Sequence, residues 1–330
     1  MPQAKIYMQI CFCGKLPALL YNFGAAILRA KGDAKRPLFI VLVSGIINVI
    51  LNLFFVICLG MKADGVALAT VISQIYTAIS ILWILARETD ATRLYLKKIR
   101  MYKRAVWNIV KIGVPSGVQG MIFSFSNVIM QSTVNSFGSA AIAGSAAAAN
   151  IGGYYYMIQN SFFHAALAFT SQNVGAGQYD RVRKVLRYCL IDVGIVWALE
   201  AAFTLFTAEY MVSLFVPGDA EAVFYGTRRH MVIGCTYGLC GIMEVFSGIN
   251  RGMGYSLSSL LISVIGVCGI RILWILAAFP KIGTFPALFA SMPLSWIGTV
   301  IGHFVFYLYI MRKKRKEIEA FTQKEKTAEE

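Results

Sequence analysis

The sequence predicts an all-α fold, a polytopic membrane helical bundle of about nine transmembrane helices. Apolar residues make up 58% of the 330 residues, charged residues only 14%, and the mean hydropathy is +0.64. So few polar side chains cannot solvate a globular chain of this length. Apolar runs long enough to span a bilayer recur along the whole chain, so lipid is the expected solvent of the fold.

Nine apolar segments reach the roughly 20 residues that a transmembrane helix needs. The fourth and the ninth are longer, and we expect them to tilt or to protrude from the bilayer. In chain order the predicted spans are Ile6–Leu28, Leu38–Leu59, Gly65–Ala86, Ile109–Ser136, Ile151–Ser171, Tyr188–Phe215, Met231–Ile249, Leu257–Phe279 and Ala287–Met311.

Lys and Arg residues are distributed unequally between the two sides of this bundle. If the first helix runs from outside to inside, the inner connections carry 22 of them and the outer connections 4, namely Lys62, Arg228, Arg229 and Lys281. Basic residues accumulate in cytoplasmic loops, so we expect a multi-pass protein of the cell membrane with its C-terminus in the cytoplasm. The same bias accounts for the net charge of +15 without nucleic-acid binding.

Two stretches are too polar to be embedded in lipid. Residues 87–111 form a basic cytoplasmic linker, and residues 313–330 form a charged tail that we expect to be a frayed helix or disordered. The linker separates a first lobe, residues 1–86, from a second lobe, residues 112–312. The seven cysteines lie mostly in apolar segments without metal-ligand spacing, and no nucleophile–base pair appears. The sequence therefore indicates neither an enzyme nor a resident cofactor.

Two short stretches repeat across the chain. Ile-Leu-Arg29-Ala-Lys-Gly32 matches Ile-Asn-Arg251-Gly-Met-Gly254, with the arginines 222 positions apart, and Ala67-Leu-Ala-Thr matches Ala287-Leu-Phe-Ala. Helices one to three then correspond to helices seven to nine, as in transporters built from two similar halves. Nothing in the sequence matches helices four to six, so we expect three helices of the first half to be missing, by truncation, a late start codon or a split gene.

The chain resembles the multidrug and toxic compound extrusion (MATE) family in several stretches. They include Tyr21-Asn-Phe-Gly-Ala-Ala-Ile-Leu-Arg-Ala-Lys-Gly-Asp-Ala-Lys-Arg-Pro37, Gly45-Ile-Ile-Asn-Val-Ile-Leu-Asn52, Gly65-Val-Ala-Leu-Ala-Thr70, Gly113-Val-Pro, Ser171-Gln-Asn-Val-Gly-Ala-Gly177, Asn250-Arg-Gly-Met-Gly-Tyr-Ser256 and Cys268-Gly-Ile-Arg271. The resemblance implies a two-lobe repeat of twelve helices, of which this chain supplies the fourth to the twelfth. It also implies export of cationic or amphiphilic compounds in exchange for Na⁺ or H⁺.

The acids on which some family members rely do not carry over to this sequence. One lies in the family's first helix, and the places of two others hold Phe123 and Cys240 here. Glu244 follows Cys240 by one helical turn and can serve in its stead. An ionisable side chain within a span is costly unless it is paired or wet, so Glu244 is the first candidate for binding the coupling ion. The alternative is a structural tie to Arg271 that fixes the Arg251-Gly252 hairpin.

Three further ionisable groups are weaker candidates. Glu200 lies near the middle of the sixth span, where it either faces a wet cavity or forms a structural hydrogen bond. His164 can titrate near neutral pH, but a single His beside Phe163 is more often simply packed. Asp192 is close enough to the inner loop to pair with basic residues there.

Polar and aromatic side chains recur in the fourth and fifth spans. They either line a substrate cavity, with rings for cation–π contact, or form ordinary polar packing between helices. The set comprises Gln119, Ser124, Ser126, Asn127, Gln131, Asn150, Tyr154, Tyr155, Tyr156 and Gln159.

The functional expectation is a monomeric cation-coupled antiporter that works in the lipid bilayer by alternating access. Because its first lobe is incomplete, little or no transport is expected from this chain alone. One alternative is a flippase or exporter of lipid-linked oligosaccharides, which should carry a cationic central cavity. The spans here offer only Arg271 and Lys15 for that purpose. The other alternative is an inert fragment or an assembly partner.

Overall fold

The computed structural model describes residues 2–90, 92–95 and 100–329, and helix is the only regular secondary structure among them. The chain divides into two compact units, Met1–Tyr102 and Lys103–Glu330. The division falls within the predicted linker, whose Lys97 and Lys98 lie outside the described residues. Its last residues, 103–111, belong to a long helix rather than to a connection.

The first unit contains three helices, which agree with the first three predicted spans to within a few residues. α3 packs against both of its neighbours, and α1 approaches it closely because a Cβ on Gly24 would lie 2.6 Å from Ile81 Cγ1. The helices are α1, Pro2–Ala30; α2, Lys35–Leu53, which continues as a π-helical turn, Phe54–Cys58; and α3, Ala63–Arg87.

The second unit contains the remaining helices. They are α4, Lys103–Asn135; α5, Ser139–Gly175; α6, Tyr179–Phe215; α7, Ala220–Gly234; α8, Tyr237–Gly252; α9, Ser256–Ser263; α10, Ile270–Leu273; α11, Phe279–Ile282; and α12, Phe285–Glu329. α9, α10 and α11 are joined by two π-helical turns, Val264–Gly269 and Trp274–Ala278, and form one rod of 27 residues.

Helix α8 is the centre of the second unit. It packs on α5, α6 and α12, and its Val245, Phe246 and Ile249 are buried in the core. The contact with α5 is close because α8 carries glycine where the helices cross. A Cβ on Gly248 would lie 2.6 Å from the carbonyl oxygen of Phe163.

Three predicted span boundaries are wrong in an informative way. The fifth helix was expected to begin at Ile151, but it begins at Ser139, twelve residues earlier. The seventh helix was expected to begin at Met231, but helix begins at Ala220 and bends by 42° between α7 and α8. The helix α7 contains polar residues, including Arg228 and Arg229, so its average hydropathy is too low to predict a span. The sixth helix begins at Tyr179, nine residues early, because its first turns are basic and amphipathic.

Six described segments are long and apolar enough to cross a membrane, and a seventh qualifies if the bent pair α7 and α8 forms one span. α4 and α5 are long enough but are not in this set, so the count of nine stays a prediction. Large apolar side chains cover the outside, with Phe206 88% exposed and Ile265 69% exposed. Such a surface is suited to lipid. The all-α, multi-pass membrane architecture predicted from the sequence is confirmed.

The two repeated arginines occupy the same place in two identical helix ends. Gly32 and Gly254 both have positive φ, +96° and +92°. In each case the glycine N–H donates to the carbonyl of the arginine three residues earlier, at 2.9 Å for both Arg29 and Arg251. Glycine suits this position because it adopts the left-handed conformation without strain.

Candidate functional site

A small polar cavity lies inside the second unit, where α4, α5, α8 and α9 meet. Its volume is about 210 Å³. The two charged residues in its lining, Glu244 and Arg251, are seven positions apart on α8, so they lie on one face of the helix about two turns apart. The lining side chains are Ser116, Gln119 and Phe123 of α4, Tyr156, Asn160 and Phe163 of α5, Met243, Glu244, Ser247 and Arg251 of α8, and Ser263 of α9.

Arg251 joins three walls of this cavity. Its Nη2 donates to Oε1 of Gln119 at 2.9 Å, and its guanidinium lies 5.5 Å from the centre of the Phe163 ring. The first contact is a charge-assisted hydrogen bond to α4 and the second a cation–π contact to α5. The buried Nε of Arg251 has no hydrogen-bond partner among the described residues. One donor therefore remains for a water or ligand.

Glu244 faces the same cavity without a paired cation. Among the described residues, every salt bridge lies in the first unit, and none reaches this carboxylate. The tie to Arg271 that the sequence left open is not formed. Arg271 donates instead to Ser295 Oγ at 3.2 Å and to Asn127 Oδ1 at 3.5 Å. Glu244 is thus an acid in a polar pocket, with Ser247 beside it and Arg251 two turns away.

A buried histidine contacts two residues at the wall of the cavity. His303 of α12 is fully buried, and its Nδ1 lies 3.2 Å from Nδ2 of Asn250. Its Nε2 lies 3.0 Å from the hydroxyl of Ser263, which lines the cavity. Asn250 directly precedes Arg251, so this network fixes the end of α8 against α9 and α12.

Sequence reasoning missed this histidine, although a signal for it exists. Four polar residues recur at intervals of four in the last helix, and all are fully buried: Ser291, Ser295, Thr299 and His303. A polar stripe at helical spacing inside an apolar span marks a face that packs on protein rather than on lipid.

Glu200 lies in a second polar cluster, between α5 and α6. Its Oε2 accepts from Nε2 of Gln159 at 2.6 Å, and one turn away Tyr155 and Thr204 share a hydrogen bond of 2.9 Å. The two pairs form an antiparallel ladder, with Glu200 only 6% exposed. Tyr155 and Gln159 therefore lie at a helix interface, away from the cavity that contains Glu244.

The other predicted polar residues lie nearer the surface of this unit. Gln131 donates to Asn135 of its own helix at 3.2 Å, while Asn150 and Tyr154 are exposed. His164 is also exposed, with its ring 5.2 Å from that of Phe163. Of the predicted substrate-cavity set, Gln119 and Tyr156 line the pocket together with Glu244.

Arg229 does not lie in an outer loop, as the charge distribution led us to expect. It belongs to α7 and donates to the carbonyl oxygen of Ser145 at 2.9 Å and to the hydroxyl of the same residue. Its guanidinium lies 4.6 Å from the centre of the Phe289 ring. Because these contacts satisfy the charge within the unit, Arg229 is no guide to orientation.

In the first unit, ion pairs cluster beyond the ends of the helices. Lys31 Nζ lies 2.5 Å from both Glu88 and Asp90, and Arg36 also binds Glu88. Hydrogen bonds from Lys31, and then from Arg36, lower the pKa of Glu88. Arg29, the counterpart of Arg251, donates to the carbonyl of Ala25 in its own helix at 3.3 Å.

No group of three or more His, Cys, Asp or Glu side chains in the described part of the chain can hold a metal ion. The polar cavity around Glu244 is therefore the strongest candidate site in the second unit.

Comparison with known proteins gives a consistent result. The MatE family model matches residues 115–275, which include every residue of the cavity. The chain is 29% identical over 334 residues to the probable multidrug resistance protein YpnP of Bacillus subtilis, covering 98% of this chain and 71% of that protein. It is 26% identical to the probable multidrug resistance protein YoeA of the same organism, covering 94% and 68%.

A solved structure shares the fold. The crystal structure of MATE in complex with MaL6 matches with a TM-score of 0.80 at 18% identity, covering 96% of this chain and 70% of that one. Family model, relatives and fold agree with the resemblance noted in the sequence. Together these findings support a MATE-family membrane transporter.

Proposed function

We propose that this protein is a multidrug efflux transporter, which exports cationic or amphiphilic small molecules in exchange for Na⁺ or H⁺. The observation that carries the proposal is Glu244, an acid without a paired cation in a polar cavity of a membrane helix bundle. Relatives named as multidrug resistance proteins support the substrate class. The excess of basic residues on one side supports a cytoplasmic C-terminus, and we propose that the transporter acts as a monomer.

The size of the cavity favours an ion over a drug. Ligand pockets for drug-sized molecules occupy roughly 300–1,000 Å³, and this cavity holds about 210 Å³. A proton on Glu244, or a sodium ion beside it with a few waters, fits that volume. We therefore assign the cavity to the coupling ion and leave the substrate to a larger space.

Arg251 links binding of the ion to the packing of the helices around the cavity. It lies on the same face of α8 as Glu244 and holds Gln119 of α4 and Phe163 of α5. Neutralising the carboxylate removes its attraction for Arg251, whereas an ionised carboxylate draws the guanidinium toward α8. Ion binding can in this way change how α4 and α5 pack against α8, which is what alternating access requires.

The rival function is transport of a phosphoprenyl-linked sugar. Such a substrate needs several cations to hold its pyrophosphate, but the cavity offers one acid and one base. The Glu244 cavity therefore offers no site for a pyrophosphate, and the relatives named as multidrug resistance proteins support the substrate class.

The test is transport by the purified chain in proteoliposomes, with ethidium as the probe substrate and either a Na⁺ or a pH gradient imposed. Exchange of ethidium for one of the two ions by the native chain would support the proposed function, whereas little or no exchange is expected if the incomplete first lobe impairs transport. Glu244→Gln should abolish the dependence on that gradient while ethidium binding persists. Glu209→Gln, which removes an exposed acid from α6, is the matched control and should behave like the native chain.

Gradient-driven transport that survives in Glu244→Gln would refute the assignment of this acid. Movement of a phosphoprenyl lipid without any ethidium exchange would favour the rival function. An absence of both activities from a correctly folded chain would favour the reading of an inert or incomplete transporter.

A further inference from the structure

We propose that the groove between α6 and α12 binds an anionic phospholipid, with the headgroup phosphate at its basic rim and the acyl chains along its apolar walls. The groove has a volume of about 880 Å³. Arg183 and Arg187 of α6 and Arg312 of α12 form the rim. The groove is distinct from the cavity that contains Glu244.

The groove exists because both helices pack on α8 and leave a space between them. Tyr307 of α12, only 5% exposed, lies at its base. The walls beyond the arginines are apolar, with Leu190 and Ile191 on one side and Leu308 on the other. A cationic rim above an apolar trough matches a lipid, which is charged at one end and apolar along the rest.

The depth of these residues is also right for a lipid headgroup. α6 has 37 residues, or about 55 Å of helix, whereas the hydrocarbon core of a bilayer is about 30 Å thick. Its first turns therefore extend into the headgroup layer. Arg183 and Arg187 lie one turn apart in this region, and Leu190 follows on the side of the hydrocarbon.

Charge distinguishes this groove from its neighbour. Among the described side chains, none of the three rim arginines forms an ion pair, and no carboxylate lines the groove. A second groove, between α5 and α6, has Arg181 and Lys184 but also Asp192. That carboxylate repels a phosphate, so the α6–α12 groove is the one suited to an anion.

Helix geometry supplies a matched pair of variants. At 100° per residue, Arg183 and Arg187 share one face of α6, while Arg181 and Lys184 are centred about 110° further around the helix and line the other groove. Each double substitution by Gln removes two positive charges from the same turns of the same helix. A difference between them therefore reports the groove and not the net charge.

Native mass spectrometry of the purified full chain, titrated with phosphatidylglycerol or phosphatidylcholine, tests the proposal. We expect the native chain to bind phosphatidylglycerol about tenfold more tightly than phosphatidylcholine. Arg183→Gln with Arg187→Gln should lose most of this preference, and Arg181→Gln with Lys184→Gln should keep it. An equal loss in both double variants would overturn the proposal.

A second measurement covers the case in which the double variant fails to fold. Leu308→Trp places a fluorophore in the groove and leaves the rim arginines in place. In nanodiscs, brominated phosphatidylglycerol should quench its added fluorescence more than brominated phosphatidylcholine does, and equal quenching would contradict the proposal. Displacement of phosphatidylglycerol by millimolar inorganic phosphate would also contradict it, because the site would then bind a soluble anion.

Discussion

The closest backbone contact in the second unit gives a sharp prediction about stability. Gly144 of α5 crosses α7 so closely that an added Cβ would lie 2.0 Å from the carbonyl oxygen of Ala222 and 2.7 Å from the amide nitrogen of Gly226. Ordinary contacts of a Cβ begin at 3.4 Å. Both obstructing atoms belong to the backbone and cannot rotate away, so Gly144→Ala must move the helices apart by more than 1 Å.

The expected change in the free energy of unfolding follows from two opposed effects. Overpacking of this kind costs about 1–3 kcal/mol, and the hydrogen bond from Arg229 to Ser145, next in sequence, is stretched as well. In the helix interior, Ala is favoured over Gly by about 0.5–1 kcal/mol. The net expectation for Gly144→Ala is a loss of about 1–2 kcal/mol in the free energy of unfolding.

Gly194→Ala is the matched control. Gly194 lies in the interior of α6 with nothing within 4 Å of its added Cβ, so the same substitution should stabilise by the helix propensity alone. In thermal unfolding of the detergent-solubilised chain at one scan rate, Gly144→Ala should lower Tm by about 2–8 °C. Gly194→Ala should leave Tm unchanged or raise it. A Gly144→Ala variant at least as stable as the native chain would refute this account of the α5–α7 crossing.

Three other outcomes are expected. Arg251→Gln and Gln119→Leu, combined in a double-mutant cycle of thermal stability, should couple by about 1.5–3 kcal/mol because their hydrogen bond is charge-assisted; additive effects would show that the contact contributes nothing. Glu200→Leu should cost about 1–3 kcal/mol by leaving the buried amide of Gln159 without its acceptor, and Glu200→Gln should cost less; equal losses would argue against the ladder. The lowered pKa of Glu88 stabilises the first unit above about pH 4.5, its ordinary value, and that stability is lost as the pH falls through the lowered value. Proteolysis of this unit should therefore accelerate below pH 4.5, with a smaller step in Glu88→Gln, in which Asp90 still pairs with Lys31.

The fold class and the family were readable from the sequence because both depend on long-range averages. Hydropathy over some 20 residues finds a span, and several short stretches along the chain, among them the Arg251 hairpin, carry the resemblance. Helix ends were less accessible. α7 begins with polar residues that find partners inside the unit, as Arg229 finds Ser145, and hydropathy alone cannot distinguish a satisfied cation from a loop.

The site was only partly predictable for a related physical reason. Glu244 was noticed because an acid in an apolar span is costly. Gln119 comes from a helix far earlier in the sequence and Ser263 from the helix that follows α8, and no local pattern reveals which polar residues will meet. His303 was also missed, although the polar residues that recur at intervals of four in its helix are visible in the sequence.

The internal repeat separates the role of Glu244 from that of the helix end that follows it. Arg29 and Arg251 end their helices with the same glycine-terminated hydrogen bonds. Arg29 donates to a carbonyl of its own helix, and Arg251 donates to Gln119 of α4. The offset of 222 residues that aligns the arginines places Asn22 opposite Glu244. The first copy thus holds an amide where the second holds an acid, and it keeps the same helix end without an ionisable group at that position. Because this natural pairing separates structure from charge, Glu244→Asn should preserve the thermal stability of the hairpin and abolish the response to the ion gradient. A variant that instead loses both would show that the acid holds the fold together.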